Sequence, residues 1–292
     1  MYYYIVNPAA GGSKIDKIQD RLKSRLRDLG IMGEFVKSTG PEDIAKLTKM
    51  AIDKGYKTIV AVGGDGTINE VMNELIDQSK IVLGIIPIGA TNDLADSLGI
   101  HGWFSATGIL ASRKIEEINL GKIGDRYFVT SATLGFDAEF SKDKRLVHGN
   151  ALDKFRFWLQ LFSKSASFKP VNVKLTFDNS YEVEAEVFSV IVSNTKFLPV
   201  KKYTRNLTDD SLLDTVVITK IPGYKMLNYG RTSDGSAIEL PKISVFHSRE
   251  VTIETRKPRE VAADGQVVTQ TPAKIRLSEK NIRVYVSRRR KF

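Results

Sequence analysis

The residues best suited to chemistry are Val62-Gly63-Gly64-Asp65-Gly66-Thr67, followed by Ile68 and Asn69. Glycines at 63, 64 and 66 let a backbone turn tightly and come close to a ligand. A helical pattern follows, and the N–H groups that open a helix are unpaired, with the positive end of the helix dipole behind them. That geometry suits a phosphate. The spacing is neither G-x-G-x-x-G nor Walker A. The competing reading is an ordinary tight turn between strand and helix; Asp65, Thr67 and Asn69 in the same stretch weigh against it. A second glycine-rich loop is Asn7-Pro8-Ala9-Ala10-Gly11-Gly12-Ser13-Lys14, where Lys14 can reach a phosphate as a point charge. Taken alone it reads equally well as a turn. A third is Pro87-Ile88-Gly89-Ala90-Thr91-Asn92-Asp93.

These loops need elements to hold them. Tyr2–Val6, Glu34–Lys37, Thr58–Val62 and Ile81–Ile86 are strand-like runs. Between them, Ile15, Ile18, Leu22, Leu26 and Leu29 recur at helical spacing, Pro41–Asp53 opens with a proline, and Ile68, Val71, Met72, Leu75 and Ile76 mark one helix face. A short helix is expected around Asn92–Leu98. Strand–helix alternation implies a parallel sheet, and all three loops then fall at the carboxyl ends of its strands, where ligands of open α/β sheets bind. From about residue 115 the pattern changes to Ile115–Ile123, Tyr127–Leu134, Val171–Phe177, Tyr181–Ser193, Asp214–Thr219, Lys242–Phe246, Glu250–Thr255, Ala273–Leu277 and Ile282–Val286. Many are joined by polar turns such as Gly124-Asp125 and Asp178-Asn179-Ser180. Two helices, Ala151–Ser163 and Tyr224–Tyr229, interrupt them. The expected fold is an α/β N-terminal domain over 1–119 and an antiparallel all-β C-terminal domain, a β-sandwich, over 120–292, whose tail is free to return to the first.

Composition narrows the function. The chain has 292 residues, 42% of them hydrophobic, enough for two cores. With no cysteine, disulfides, thiolate catalysis and Cys-ligated zinc are excluded, and His101, His148 and His247 are too scattered for a histidine metal site. No run of about 18 apolar residues exists to span a bilayer, and MYYYIVNPAAGG lacks the basic start of a signal peptide. A cytoplasmic location is expected. The net charge of +10 favours an anionic partner: nucleic acid, nucleotide or an anionic lipid surface. No RRM-like aromatic–basic pattern appears, so nucleic acid is not expected as a partner. Arg288-Arg289-Arg290-Lys291 reads as a solvated tail.

Asn7-Pro8-x-x-Gly11, Gly63-Gly64-Asp65-Gly66-Thr67 and Pro87-x-Gly89-x-x-Asn92-Asp93, in that order, resemble the diacylglycerol kinase, sphingosine kinase and ceramide kinase superfamily. Within it the chain is most similar to the bacterial soluble diacylglycerol kinases and YegS-type lipid kinases. Gly135-Phe136-Asp137-Ala138, Asp209-Asp210-Ser211-Leu212-Leu213-Asp214 and Asp264-Gly265-Gln266 extend the resemblance over nearly the whole chain. It implies a kinase using ATP and Mg²⁺, acting on the hydroxyl of a membrane lipid, most naturally diacylglycerol. Asn7, Pro8, Ala9, Ala10, Gly11, Lys14, Ser38, Gly63, Gly64, Asp65, Gly66, Thr67, Ile68, Asn69, Ala90 and Thr91 would line the ATP site. Asp65 and Asp93 would organise the Mg²⁺–phosphate water network. Asp210, with the carbonyls of Leu207 and Leu212, would hold a structural Mg²⁺, a donor set suited to a hard cation. Asp264 would take the acceptor's proton, in a segment it shares with Gln266.

The chain departs from the family pattern at several of these positions. Gln266 replaces the glutamate of Asp-Gly-Glu, and an amide is no base. Ala90 stands where a phosphate-binding hydroxyl is usual, with Thr91 one residue later; Asn119 and Ser211 replace an aspartate and a glycine. A catalytically silent nucleotide-binding protein is therefore the main alternative. An NAD kinase-like enzyme, which shares Gly-Gly-Asp-Gly-Thr, is the second; the Asn-Pro start and the Asp264 segment oppose it. A lipid acceptor implies work at a membrane surface. The basic and aromatic segment Ala151–Ser163, with Lys154, Arg156 and Trp158, suits that contact, and also suits packing on the β domain. The resemblance further implies a homodimer.

Overall fold

A computed structural model describes residues 1–12, 14–40, 42–89, 92–136, 138, 168–194, 212–219 and 243–287; of Lys14 and Asp93 it describes the backbone. The chain divides into two compact units, Met1–Leu120 together with the stretch beginning at Glu279, and Gly121–Ser278.

Unit one runs β1 (Tyr2–Val6), α1 (Lys14–Asp28), β2 (Gly33–Lys37), α2 (Asp43–Asp53), β3 (Thr58–Gly63), α3 (Asp65–Leu75), β4 (Val82–Pro87), α4 (Asp93–Ser97), α5 (Gly102–Ser112) and into β5 (Ile115–Ile123). Its sheet has the order β2-β1-β3-β4, every pair parallel. β1, β3 and β4 are buried at every position, as expected of apolar, β-branched strands covered on both faces. α2 packs beside α3, and α1 beside α5. The chain leaves β1 for β2 and then returns to β3 on the other side of β1. The topological switch point therefore lies between β1 and β3, the place where open α/β sheets bind ligands.

Unit two continues with β6 (Arg126–Phe128), β7 (Ser131–Gly135), β8 (Val171–Phe177), β9 (Tyr181–Val187), β10 (Ser189–Ser193), β11 (Leu213–Ile218), β12 (Ile243–Ser248), β13 (Glu250–Thr255), β14 (Glu260–Ala263), β15 (Gln266–Gln270) and the first part of β16 (Ala273–Tyr285). One sheet runs β16-β13-β8-β9 and the other β12-β11-β10-β7-β14-β15, all antiparallel. Leu134, Val190, Val192, Leu213, Val217 and Val261 of the second sheet share a core with Val173, Leu175, Val251, Ile253 and Ile275 of the first. This is a β-sandwich, and with the parallel sheet of unit one it matches the fold class read from the sequence.

Several element boundaries differ from the sequence expectation. Tyr127–Leu134 is two strands, broken at Val129 and Thr130, whose amides turn to the Asp264 carboxylate. Tyr181–Ser193 is also two, and they belong to different sheets. At Phe188 the chain changes sheet, its N–H donating to the Ile218 carbonyl and its carbonyl accepting from Phe136. Conversely, Ala273–Leu277 and Ile282–Val286 are parts of the single strand β16, whose Val284 pairs with Leu83 in unit one. Helix α5 and the β14–β15 hairpin have no counterpart in the sequence reading. The expected helices at Ala151–Ser163 and Tyr224–Tyr229 lie outside the described residues.

Candidate active site

In unit one the three loops read from the sequence are hydrogen-bonded to one another. Where β1 ends, the Asn7 N–H donates to the Val62 carbonyl at 2.9 Å, continuing the β1–β3 ladder. The Asn7 side chain then works in two directions. Its Oδ1 accepts from the Ala9 N–H at 3.0 Å, shaping the loop through Pro8. Its Nδ2 donates to Thr67 Oγ1 at 2.9 Å, tying the first loop to the first turn of α3. Gly11 and Gly12 follow at φ values of 60° and 67°, where a side chain would be strained. At the end of β2 the buried Ser38 donates its N–H to the Val6 carbonyl at 2.9 Å.

The second loop is built so that backbone meets backbone. A Cβ on Gly63 would lie 2.4 Å from Thr67 Oγ1, and one on Gly89 would lie 2.4 Å from the Gly64 Cα. Only glycines let the second and third loops approach so closely. Gly64 is the N-cap of α3 and has no side chain of its own to cap that helix. Thr67, Ile68 and Asn69 are buried in its first turns. The N-cap itself thus supplies no side chain to compete for the donors that open α3, an arrangement that suits a phosphate.

Asp65 joins the second loop to the third. Its Oδ2 accepts the Asn92 N–H and its Oδ1 the Leu94 N–H, each at 3.0 Å, so the carboxylate caps the start of α4. Asn92 sits at φ 85°, and its Oδ1 accepts the Gly89 N–H at 2.9 Å. Asn92 carries no expected role in the sequence, although Asn in a glycine-rich turn is itself a sign of a left-handed residue. Asp93 opens α4, and Ala90 and Thr91 lie outside the described residues.

Asp264 belongs to unit two. It and Gly265 form the two-residue turn between β14 and β15, at φ 46° and 79°, the backbone that a hairpin with a right-handed twist favours. The Asp264 N–H donates to the Ser131 carbonyl. Its carboxylate accepts the Val129 N–H at 3.0 Å, the Thr130 N–H at 2.8 Å and the Thr130 hydroxyl at 2.5 Å. Asn194, which the sequence did not single out, holds the same two residues from their carbonyl side: Nδ2 donates to Val129 O at 3.1 Å and N–H to Thr130 O at 2.9 Å. Gln266 is exposed at the start of β15. Of the expected Mg²⁺ ligands, Leu207 and Asp210 lie outside the described residues, and Leu212 sits half-buried just before β11. Among the described residues no cluster of three or more acidic, His or Cys side chains suits a metal. Close by, Asp214 is buried and hydrogen-bonded through Oδ1 to His247 Nδ1 at 2.7 Å. Burial pushes its carboxyl above the usual carboxylate range, against the opposing pull of that hydrogen bond.

Residues 1–123 match the diacylglycerol kinase catalytic domain, and residues 130–286 the YegS C-terminal NAD kinase beta sandwich-like domain. A curated diacylglycerol kinase of Staphylococcus haemolyticus (strain JCSC1435) is 24% identical over 288 residues, covering 96% of this chain and 86% of that protein. One of Staphylococcus aureus (strain MRSA252) is 24% identical over 294 residues, covering 96% and 90%. Among solved structures, a diacylglycerol kinase from Bacillus anthracis str. Sterne superposes with a TM-score of 0.75 at 19% identity, covering 98% of this chain and 97% of that one. An NAD kinase from Archaeoglobus fulgidus in complex with ATP reaches 0.54 at 18% identity, covering 99% and 94%. These structural likenesses establish the fold. The family is carried by the two domain matches, and with them the chain belongs to the diacylglycerol kinase and YegS-like lipid kinase superfamily and is a kinase.

Proposed function

We propose that this kinase uses ATP with Mg²⁺ to phosphorylate a hydroxyl of a membrane lipid, diacylglycerol being the first acceptor to test and phosphatidate its product. The observation that carries the reading is the cross-linked loop cluster at the carboxyl ends of β1, β3 and β4, around a helix start whose N-cap is a glycine. Phosphoryl transfer asks mainly for positioning and charge neutralisation. ATP, when bound, supplies the phosphoryl group. Asn7 through Thr67, and Asp65 through Asn92 and Leu94, hold the loops in register, so the first amides of α3 are fixed as donors toward phosphate oxygens. Asp210 and the carbonyls of Leu207 and Leu212 would supply a donor set suited to a hard cation. In this reading Asp264 takes the acceptor's proton. The Val129 and Thr130 amides and the Thr130 hydroxyl fix the orientation of that carboxylate. A lipid acceptor stays in its bilayer, so the protein works from the cytoplasm at an anionic membrane surface, consistent with its +10 charge, as a homodimer.

Gln266 favours a second reading, a weak or silent member that binds nucleotide without turnover, because no carboxylate stands at that position. The deciding experiment is transfer from labelled ATP, with Mg²⁺, to diacylglycerol in mixed micelles containing anionic lipid. Labelled phosphatidate supports the kinase reading. Micromolar ATP binding with no product from any of several lipid hydroxyls supports the silent one.

A further inference from the structure

Helix α5, Gly-Trp-Phe-Ser-Ala-Thr-Gly-Ile-Leu-Ala-Ser, carries no charged side chain, yet it buries only Ala106, Thr107 and Leu110. A water-facing helix ordinarily turns polar and charged residues outward, and one that is apolar all round is ordinarily buried. Here Gly102, Phe104 and Ser105 are exposed, Phe104 to 55%, and Trp103 is half-buried beside them. The aromatic pair is set against cations of α1. The Arg25 guanidinium lies 3.9 Å from the centre of the Phe104 ring, and that of Arg21 5.7 Å from the Trp103 ring. Arg25 is held in place by its Nε, which donates to Thr107 Oγ1 at 3.1 Å. α1 carries six basic and three acidic residues, and Lys17, Arg21 and Arg25 follow one another at i, i+4 spacing along one face.

We propose that the Trp103–Phe104 end of α5, with Lys17, Arg21 and Arg25 of α1, is a docking surface for an anionic phospholipid bilayer. Tryptophan settles at the level of lipid headgroups, where its ring is amphipathic enough to be at home. Arginine stacked on an aromatic face still presents its N–H edges to phosphate oxygens while its stem lies along apolar surface. The occupant is therefore a surface that is apolar inside and anionic outside. The proposal rests on the lipid-kinase reading for its purpose alone, since insertion is measured without turnover.

The chain has two tryptophans, Trp103 and Trp158, and Trp158 lies in the other basic aromatic segment. Replacing each in turn by phenylalanine gives two single-tryptophan proteins that report separately on the two segments. The measurement is fluorescence with vesicles of phosphatidylcholine alone or with phosphatidylglycerol, and with lipid brominated near the headgroup. In Trp158→Phe, Trp103 is expected to shift to the blue and be quenched in anionic vesicles only. Arg21→Gln should weaken partitioning about five-fold, the effect of one basic residue at such a surface. Vesicle binding with an unmoved, unquenched Trp103 overturns the proposal, as does no vesicle binding at all. A Phe104→Ser protein that changes from dimer to monomer in solution overturns it too, because the face would then be a contact between copies. Transfer to diacylglycerol and several other lipid hydroxyls in detergent micelles, assayed separately, isolates the kinase reading: insertion of Trp103 with no phosphorylated product from any of them would sink that reading and leave the docking surface standing.

Discussion

Asp65 and Asp264 share one device: each precedes a glycine, and each gives its carboxylate oxygens to backbone amides of another segment. An acceptor removed from such a pair leaves donors unsatisfied, at about 1–3 kcal/mol. Asp65→Asn keeps one acceptor and turns an NH₂ toward the other amide. It should lose about that much stability in urea unfolding and bind nucleotide more weakly, because the third loop is no longer fixed to α3. An Asp65→Asn protein as stable as the parent would refute the link. Asp264→Asn tolerates the left-handed backbone of the turn, so it tests the carboxylate itself. Turnover should fall on the order of 100-fold while nucleotide affinity, set in unit one, stays unchanged. Hydrogen exchange at Val129 and Thr130 should quicken at the same time. Wild-type turnover in that variant would remove Asp264 from the chemistry. Both aspartates stood out in the sequence. Their partners did not, because these lie 27 and 134 residues away along the chain and are backbone amides, which no residue type announces.

At the scale of elements, the loops are kept close by glycines that face each other. A Cβ on Gly89 would come within 2.4 Å of the Gly64 Cα, whereas one on Gly64 would lie 3.1 Å from the Gly89 Cα. Gly89→Ala must therefore push α4 and α3 apart, and should weaken nucleotide binding at least ten-fold, about 1.4 kcal/mol. Gly64→Ala needs a shift of only tenths of an ångström and should cost less. Equal effects in a titration would mean that the loops are not held by this contact. α5 docks on β4 in a similar way: a Cβ on Gly84 would lie 2.7 Å from Leu110 Cδ2 and 2.9 Å from Val60 Cγ2. The strands of unit one were legible as apolar runs and its first three helices as periodic faces. α5 was not, because a segment apolar or small at every position has no period to detect. The β14–β15 hairpin did carry a signal, an Asp-Gly pair between alternating residues, which its place in a chemical motif obscured. The break at Phe188 had none: an apolar run looks the same whether it stays in one sheet or crosses to another.

At the scale of the molecule, the change near residue 115 from regular strand–helix alternation to successive strands pointed to two units of different class. The single strand β16 was hidden because Ser278-Glu279-Lys280-Asn281 interrupts its apolar pattern as a turn would. Its two ends serve different units. Ala273–Arg276 pair with β13, while from Glu279 onward the strand belongs to unit one. There Ile282, Val284, Tyr285 and Val286 are buried, the Tyr285 and Thr58 hydroxyls meet at 3.2 Å, and the Val286 N–H donates to the Lys114 carbonyl at 3.0 Å. Lys280 pairs with Asp77, and Arg283 donates to the Ser79 carbonyl. Burying a side chain of this size contributes roughly 1.5–3 kcal/mol. Four of them amount to much of the roughly 5–15 kcal/mol by which a whole domain is stable. A chain ending at Ser278 is thus expected to lose unit one while keeping the β13–β16 pairing of unit two. Hydrogen exchange read by mass spectrometry separates the two. Amides of β1, β3 and β4 should lose protection, with nucleotide binding, while those of β7, β10 and β13 stay protected. If β3 and β4 remain as protected as in the full chain, the returning strand is an ornament on unit one rather than part of its core.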